Sequence, residues 1–375
     1  MSSSPLAEKR RFFGTWVFLI LPVIFLSSLG ILTLISAGAS RTDPYILAKK
    51  QALWMSIAML AAFAAAFVDL KMLRKISIPL AVISVIALLI VLLAGKEVNG
   101  ARRWLEIGPL VVQPSDLAKF ALIILLSSYL CKNQRQMDSF WRGFIFPFCI
   151  VGIFCVPIIL EPDFGTTLLC GTVGLTLILL AGVRLRYLIP AATALGIVFC
   201  IAIYLNPNRF YRLVSFLDLE GNKNAGTYQL YQAILAFGSG GIEGVGIGQG
   251  RQQYSFLPEA HTDFIFAIIG EELGLFATLA VTIMFFTLFA VTIRCLKRAP
   301  NIFEFSIAMG AMLMIVLQAL FNMCVVTGLM PTKGISLPFL SYGGSNLVMM
   351  FAFTGLLVNC VRSWNKPSKI KITEI

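Results

Sequence analysis

Residues 257–274 read LPEAHTDFIFAIIGEELG and set five ionisable side chains, Glu259, His261, Asp263, Glu271 and Glu272, at the mouth of an apolar run. The run 264–293 is long enough to cross a bilayer, which takes about 20 residues. Glu259, His261 and Asp263 are therefore expected at one membrane surface, with Glu271 and Glu272 a little over two turns deeper. An acidic residue inside a spanning segment costs about 2.5–3.5 kcal/mol on insertion scales, so function is the first hypothesis for such a group.

The chain around this stretch is 58% hydrophobic and only 13% charged over 375 residues, too apolar for a soluble domain of that length. The net charge of +12 does not point to nucleic acid, because the basic residues are scattered among short loops and form no patch or stripe. Eight cysteines include no C-x-x-C pair and lie mostly in apolar runs, which argues against zinc or a disulfide framework.

Apolar runs at 15–35, 52–68, 76–94, 115–130, 144–160, 166–182, 188–205, 264–293, 305–328 and 337–361 predict ten transmembrane helices. The expected fold is an all-α integral membrane protein forming one polytopic domain over residues 1–375, with a long external loop, 206–262, between helices 7 and 8. With the amino terminus inside, the inner loops and tails hold 18 of the 30 basic residues, which favours cytoplasmic tails at 1–13 and 362–375. The first run is longer than a signal-peptide core and is read as a retained span. Within the long loop, residues 228–237 suit an amphipathic interfacial helix. The glycine-rich 238–250 stretch has neither the spacing nor the preceding strand of a phosphate loop, so no nucleotide cofactor is expected.

This topology brings four charge-bearing stretches to the external surface: Asn99–Trp104 with Gln113–Lys119, Glu161–Thr166, the Asp263 stretch, and Pro331–Gly334 with Pro338–Ser345. Asp116 and Lys119 admit two readings, an i,i+3 ion pair at a helix start and a lysine that lines a cavity and binds an anion. Arg102 and Arg103 suit interfacial anchoring as well as a phosphate headgroup. Asp163 fits a helix cap, and so does Asp263 on local grounds. Glu259, His261 and Asp263 in five residues, with Glu271 below, also make an acidic cluster suited to raising one carboxylate's pKa or holding a divalent cation, Mg²⁺ or Mn²⁺. A carboxylate at an apolar boundary is the group needed to take a proton from an attacking sugar hydroxyl. Of Glu271 and Glu272, at least one is expected to make a buried interhelical hydrogen bond. Lys333 sits among turn residues, where it can meet a diphosphate.

These stretches resemble the signature motifs of the SEDS family. LPEAHTDFIFAIIGEELG, Pro331-Thr332-Lys333-Gly334 and Leu337-Pro338-Phe339-Leu340-Ser341-Tyr342-Gly343-Gly344-Ser345 look most like its FtsW branch and less like its RodA branch. Where QPSE is common in the family, this chain has Gln113-Pro114-Ser115-Asp116, and Asn346 stands where a second serine is common. The resemblance implies a peptidoglycan glycosyltransferase that polymerises lipid II outside the bacterial cytoplasmic membrane during cell division. Its partners would be a class B penicillin-binding protein transpeptidase and other division proteins. Asp263 matches the family's essential aspartate and is expected as general base. Arg103, Lys119, Lys333, Glu259, Asp163 and Ser341 are expected to bind substrate. The alternatives are a lipid II flippase, for which ten spans with intramembrane charges would also serve, a lateral-wall polymerase, and a non-catalytic division scaffold.

Overall fold

The computed structural model describes residues 14–38, 43–98, 101–108, 110–204, 207–217, 221, 227–252, 257, 260–332 and 334–364. Its helices are α1 (Val17–Gly38), α2 (Ile46–Phe67), the short α3 (Leu70–Lys75), α4 (Ser77–Ala94), α5 (Pro114–Lys132), α6 (Phe146–Leu160), α7 (Phe164–Leu180), α8 (Leu185–Tyr204), α9 (Pro207–Leu217), α10 (Tyr228–Gly240), α11 (Ile265–Leu296), α12 (Ile302–Val326) and α13 (Gly344–Trp364). Among the described residues, eight helices are long and apolar enough to cross a membrane, α6 counting with the π-turn Phe140–Ile145 before it. The apolar α7 and α8 complete the expected ten. Apolar side chains such as Phe63, Leu93 and Phe276 point out of the bundle, 65%, 81% and 68% exposed, as a lipid-facing surface requires.

Local chemistry sets the helix ends. Pro114 opens α5 at a first-turn position, where its missing N–H costs nothing. Asp163 caps α7 by accepting the Thr166 N–H at 3.0 Å, and Asn301 caps α12 by accepting the Glu304 N–H at 2.9 Å. At that end of the bundle Glu304 also accepts from Trp364 Nε1 at 2.6 Å, which fastens the end of α13 to the start of α12. Helix α13 lies close along α2: a Cβ at Gly355 would fall 2.2 Å from the Ala62 carbonyl oxygen, so only glycine permits this approach.

Three features depart from the expectation. The loop that carries Arg103 is a three-stranded antiparallel sheet in the order β1 (Lys96–Val98), β2 (Ala101–Ile107), β3 (Leu110–Val112). The exposed pairs Lys96–Glu106 at 2.5 Å and Arg102–Glu97 at 3.5 Å lie across its first hairpin. The second is a break in α11 at Gly274, with φ 71° and ψ −165°. A 32-residue helix would be about 48 Å long against a hydrocarbon core of about 30 Å. The break leaves 275–296, about the length that crosses a bilayer, and sets Glu271 and Glu272 about two turns into the short helical segment before it. A Cβ at Gly274 would meet the Ile242 carbonyl oxygen at 2.3 Å, so the break is also where the glycine-rich loop packs.

The third departure is in the last span. It begins at Gly344, not at 337, because Pro338 and the Gly343-Gly344 pair do not continue a helix backward. Residues 335–343 instead run as non-helical backbone through the protein interior, with Leu337, Phe339, Leu340 and Ser341 all at most 4% exposed. Phe339 takes a left-handed φ of 68° there, a conformation that a bulky residue adopts only under surrounding constraint.

Candidate functional site

Buried irregular backbone must find hydrogen-bond partners inside the protein. For 335–343 they come from polar side chains on otherwise apolar helices. Gln51 on α2 donates to the Ser341 carbonyl at 3.2 Å and accepts from the Gly343 N–H at 3.4 Å. Gln318 on α12 donates to the Ser336 carbonyl at 2.9 Å, and Asn322, one turn on, to the Ile335 carbonyl at 2.7 Å. Gly30 lets α1 close over the segment, since a Cβ there would meet Leu340 Cα at 2.8 Å.

The turn that carries Asp263 is held through three consecutive carbonyls, two by this same segment and one by Asn322. His261 O accepts from Tyr342 N at 2.9 Å, Thr262 O from Ser341 Oγ at 2.6 Å, and Asp263 O from Asn322 Nδ2 at 2.7 Å. Asp263 is half-buried. Its Oδ2 lies over Gly334, where an added Cβ would come within 3.1 Å. Ser341, expected to bind substrate, is 4% exposed; it bridges Thr262 O and Leu337 N, the latter at 2.7 Å, and thus holds the two loops together.

From α12 the polar chain continues to α5. Asn346 Nδ2 donates to Ser336 Oγ at 2.8 Å, and its Oδ1 accepts from Lys119 Nζ at 3.2 Å. Lys119 is the i,i+3 partner of Asp116 at 2.8 Å, and both side chains are only 4% exposed. Of the two readings of this lysine the geometry is that of the ion pair, with Gln318 Oε1 as a further acceptor at 3.2 Å. Asp116 Oδ2 accepts from Ser345 Oγ at 2.6 Å, and that hydroxyl accepts from Gln113 N at 3.1 Å. Gln113 Nε2 then reaches Asp163 Oδ2 at 3.2 Å, so Asp163 serves both as the α7 cap and as the next link.

Arg103 on β2 lies at the far end of this chain. Its Nε and Nη2 donate to the carbonyls of Glu161 and Pro162 at 3.0 and 2.6 Å, which uses two of its five N–H donors. The Glu161 carboxyl beneath is fully buried, and neither oxygen has a hydrogen-bond partner among the described residues. Burial, reinforced by the neighbouring Asp163 and opposed by Arg103, pushes its pKa up to about 8.

Glu271 and Glu272 work on the loop that precedes the Asp263 turn. Glu271 Oε1 accepts from the Arg251 and Gln252 N–H groups at 2.8 and 3.2 Å. Glu272 Oε1 accepts from Gly248 N at 2.9 Å and from Ser36 Oγ of α1 at 2.5 Å, the interhelical bond expected of one of the two. Helix α10 forms where the amphipathic stretch was expected and packs its small face on α11: a Cβ at Gly240 would fall 2.0 Å from the Gly270 carbonyl oxygen.

Glu259 and Lys333 lie outside the described residues. Among the described residues no three His, Cys, Asp or Glu side chains come close enough to hold a metal ion, so His261 and Asp263 do not by themselves assemble the donor set expected for Mg²⁺ or Mn²⁺. Gln51, Gln318 and Asn322 were missed in the sequence. For Gln318 and Asn322 the signal was there, as isolated amides in an apolar span, one turn apart on one face; Gln51, which follows Lys49 and Lys50 ahead of the apolar run 52–68, gave none.

A family model described as a cell cycle protein, FtsW/RodA/SpoVE, matches residues 9–366. The chain is 39% identical to the probable peptidoglycan glycosyltransferase FtsW of Legionella pneumophila, over 84% of this chain and 82% of that protein. It is 36% identical to stage V sporulation protein E of Bacillus subtilis, over 92% and 96%. Among solved structures it superposes with a TM-score of 0.78 and 26% identity on a chain from work on the structural coordination of polymerization and crosslinking by a peptidoglycan synthase complex, covering 93% of this chain and 98% of that one. The rod shape determining protein RodA of Thermus thermophilus superposes with a TM-score of 0.70 and 26% identity, over 93% and 97%. With nearly its whole length matched in sequence and in fold, and with the four motif stretches joined into one polar network, the chain belongs to the FtsW/RodA/SpoVE family, the SEDS family of its sequence motifs.

Proposed function

We propose that this multi-pass membrane protein is a peptidoglycan glycosyltransferase that polymerises lipid II, as the names of its FtsW relatives and its likeness to a chain from work on a peptidoglycan synthase complex support. The observation that carries the catalytic reading is the placement of Asp263: a half-buried carboxylate on a turn with three consecutive carbonyls held, two by the buried 335–343 segment and one by Asn322 of α12. In the proposed step the Asp263 carboxylate takes the proton of the acceptor sugar's 4-hydroxyl as that oxygen attacks the anomeric carbon of the donor. The bond from that carbon to the diphosphate oxygen breaks, and undecaprenyl diphosphate leaves. Arg103, with three N–H donors beyond its two carbonyl bonds, and Lys333 would meet the charge that develops on the diphosphate. Lys119, Asp163 and Ser341 act in this reading by holding loops, and Glu259 belongs to the same external face.

The reading also places both termini in the cytoplasm, Asp263 on the outer side, and the protein at the division septum beside a class B penicillin-binding protein. Support comes from the basic residues of the inner loops and from the FtsW names among the relatives. The test is polymerisation of purified lipid II by the reconstituted protein with its transpeptidase partner, under penicillin. Glycan chains from the parent and a loss of about 10²- to 10⁴-fold in Asp263→Ala are expected. Parental rates in the variant would remove Asp263 as the base; lipid II transport without glycan by the parent would replace the polymerase with a carrier.

A further inference from the structure

We propose that Asn322 and Gly334 are positioning residues for the Asp263 carboxylate, an inference that rests on the reading of Asp263 as the general base. Of the three groups that hold the consecutive carbonyls 261–263, two belong to the neighbouring 341–342 segment, and Asn322 alone among them stands on a helix. Its side chain is 1% exposed, and both bonds of Nδ2 measure 2.7 Å, to Asp263 O and to Ile335 O. Two carbonyls only accept, so this amide has one orientation. Its Oδ1 finds no partner among the described residues, a cost tolerated in order to present the amide nitrogen to the two loops.

The two bonded carbonyls lie on the backbones that face each other across the site. Ile335 follows Gly334, and Gly334 is the residue on which Asp263 Oδ2 rests, with only 3.1 Å available to a Cβ. The amide therefore sets the distance between the two backbones, and the bare glycine lets the carboxylate occupy the gap. Loss of the clamp frees the Asp263 peptide to turn; a methyl group at 334 presses the carboxylate aside. Both changes act on the orientation of the base rather than on the surface that binds the lipid-linked substrate.

The experiment measures kcat and KM for lipid II with the full chain and its transpeptidase partner, in Asn322→Leu, Gly334→Ala, Asp263→Ala and the double variant Asn322→Leu/Asp263→Ala. A misplacement of about 1 Å costs on the order of 100-fold, so Asn322→Leu is expected to lower kcat by about 10- to 100-fold with KM within about twofold. In the Asp263→Ala background the same change should alter the residual rate by less than about twofold, because the group it positions is gone. Gly334→Ala should lower kcat in the same sense and leave KM in place, and it carries the test if Asn322→Leu does not yield folded protein. A folded Asn322→Leu with parental kcat, an equal fall of kcat in both backgrounds, or parental kcat in Gly334→Ala overturns the proposal. An Asp263→Ala enzyme that runs at the parental rate overturns the base assignment itself, whatever the other variants do.

Discussion

Ser345 Oγ stands 2.6 Å from Asp116 Oδ2, a hydrogen bond that ties the first turn of α13 to the first turn of α5 across 229 residues of sequence. Asp116 in turn pairs with Lys119 at 2.8 Å, and both side chains are withdrawn from solvent. Removing one member of such a pair strands a buried charge, which costs about 3–5 kcal/mol, whereas replacing both by apolar groups of similar size is often neutral. Lys119→Met and Asp116→Leu should each lower the melting temperature of the purified protein far more than the double variant does. Equal losses in all three would show that the pair contributes through packing alone.

Glu161 provides a pH prediction. Its folded pKa of about 8 lies above the ordinary 4.5, so between those values the folded protein binds a proton that the unfolded chain has released. Stability contributed by this group therefore falls as pH rises from about 4.5 to about 8 and does not recover above it. Glu161→Gln keeps the shape and never ionises. Thermal melts should show the variant gaining on the parent steadily from pH 5 to pH 8, with the two converging at low pH; a constant difference over that range would contradict the assignment.

Glu271 is predicted to order the loop ahead of Asp263 through its bonds to the Arg251 and Gln252 amides. Hydrogen bonds to charged acceptors contribute about 1.5–3 kcal/mol. In Glu271→Ala those two amides should exchange hydrogen about tenfold faster or more, and Glu271→Gln, which keeps an acceptor oxygen, should lie between. Unchanged exchange in the alanine variant would mean that the loop holds its shape without the carboxylate.

Two glycines of α10 should respond in opposite ways to alanine. Gly240 abuts the Gly270 carbonyl, with 2.0 Å where a Cβ would go, so Gly240→Ala forces α10 from α11 at a cost of about 1–3 kcal/mol. Gly238 has nothing within 4 Å of that position. Gly238→Ala should be neutral or gain up to about 1 kcal/mol from helix propensity. Paired melting curves decide it, and a comparable loss in both would remove the close approach as the cause.

The spans were legible in the sequence because a bilayer obliges each segment to satisfy its own backbone. Composition over about 20 residues therefore determines where helices run, without reference to any other part of the chain. The motif stretches were legible for a related reason, since charges beside apolar runs mark where the chain leaves the hydrocarbon. The helix was visible at 228–237 as an amphipathic pattern, though neither its extension to Gly240 nor the face it offers to α11 was. The sheet around Arg103 left only a short alternation in Ala101–Ile107, and its register came from pairing with strands on either side.

The tertiary structure alone decided what the buried polar residues do. Gln51 reaches Ser341 across 290 residues, Lys119 reaches Asn346 across 227, and Asn322 reaches Asp263 across 59. Local spacing allowed the Asp116–Lys119 ion pair, and Pro338 with Gly343-Gly344 disfavoured helix just before Gly344, but no local pattern named the partners that let the pair and the run 335–343 be buried. Each stays buried because helices distant in sequence supply, inside a low-dielectric bundle, the hydrogen bonds that water would otherwise provide. The sequence by itself determined a ten-span bundle with Asp263 at one end; packing determined that Asp263 is held by an amide on α12 and a bare backbone at Gly334, because only contacts between distant segments fix the direction of a side chain on a turn.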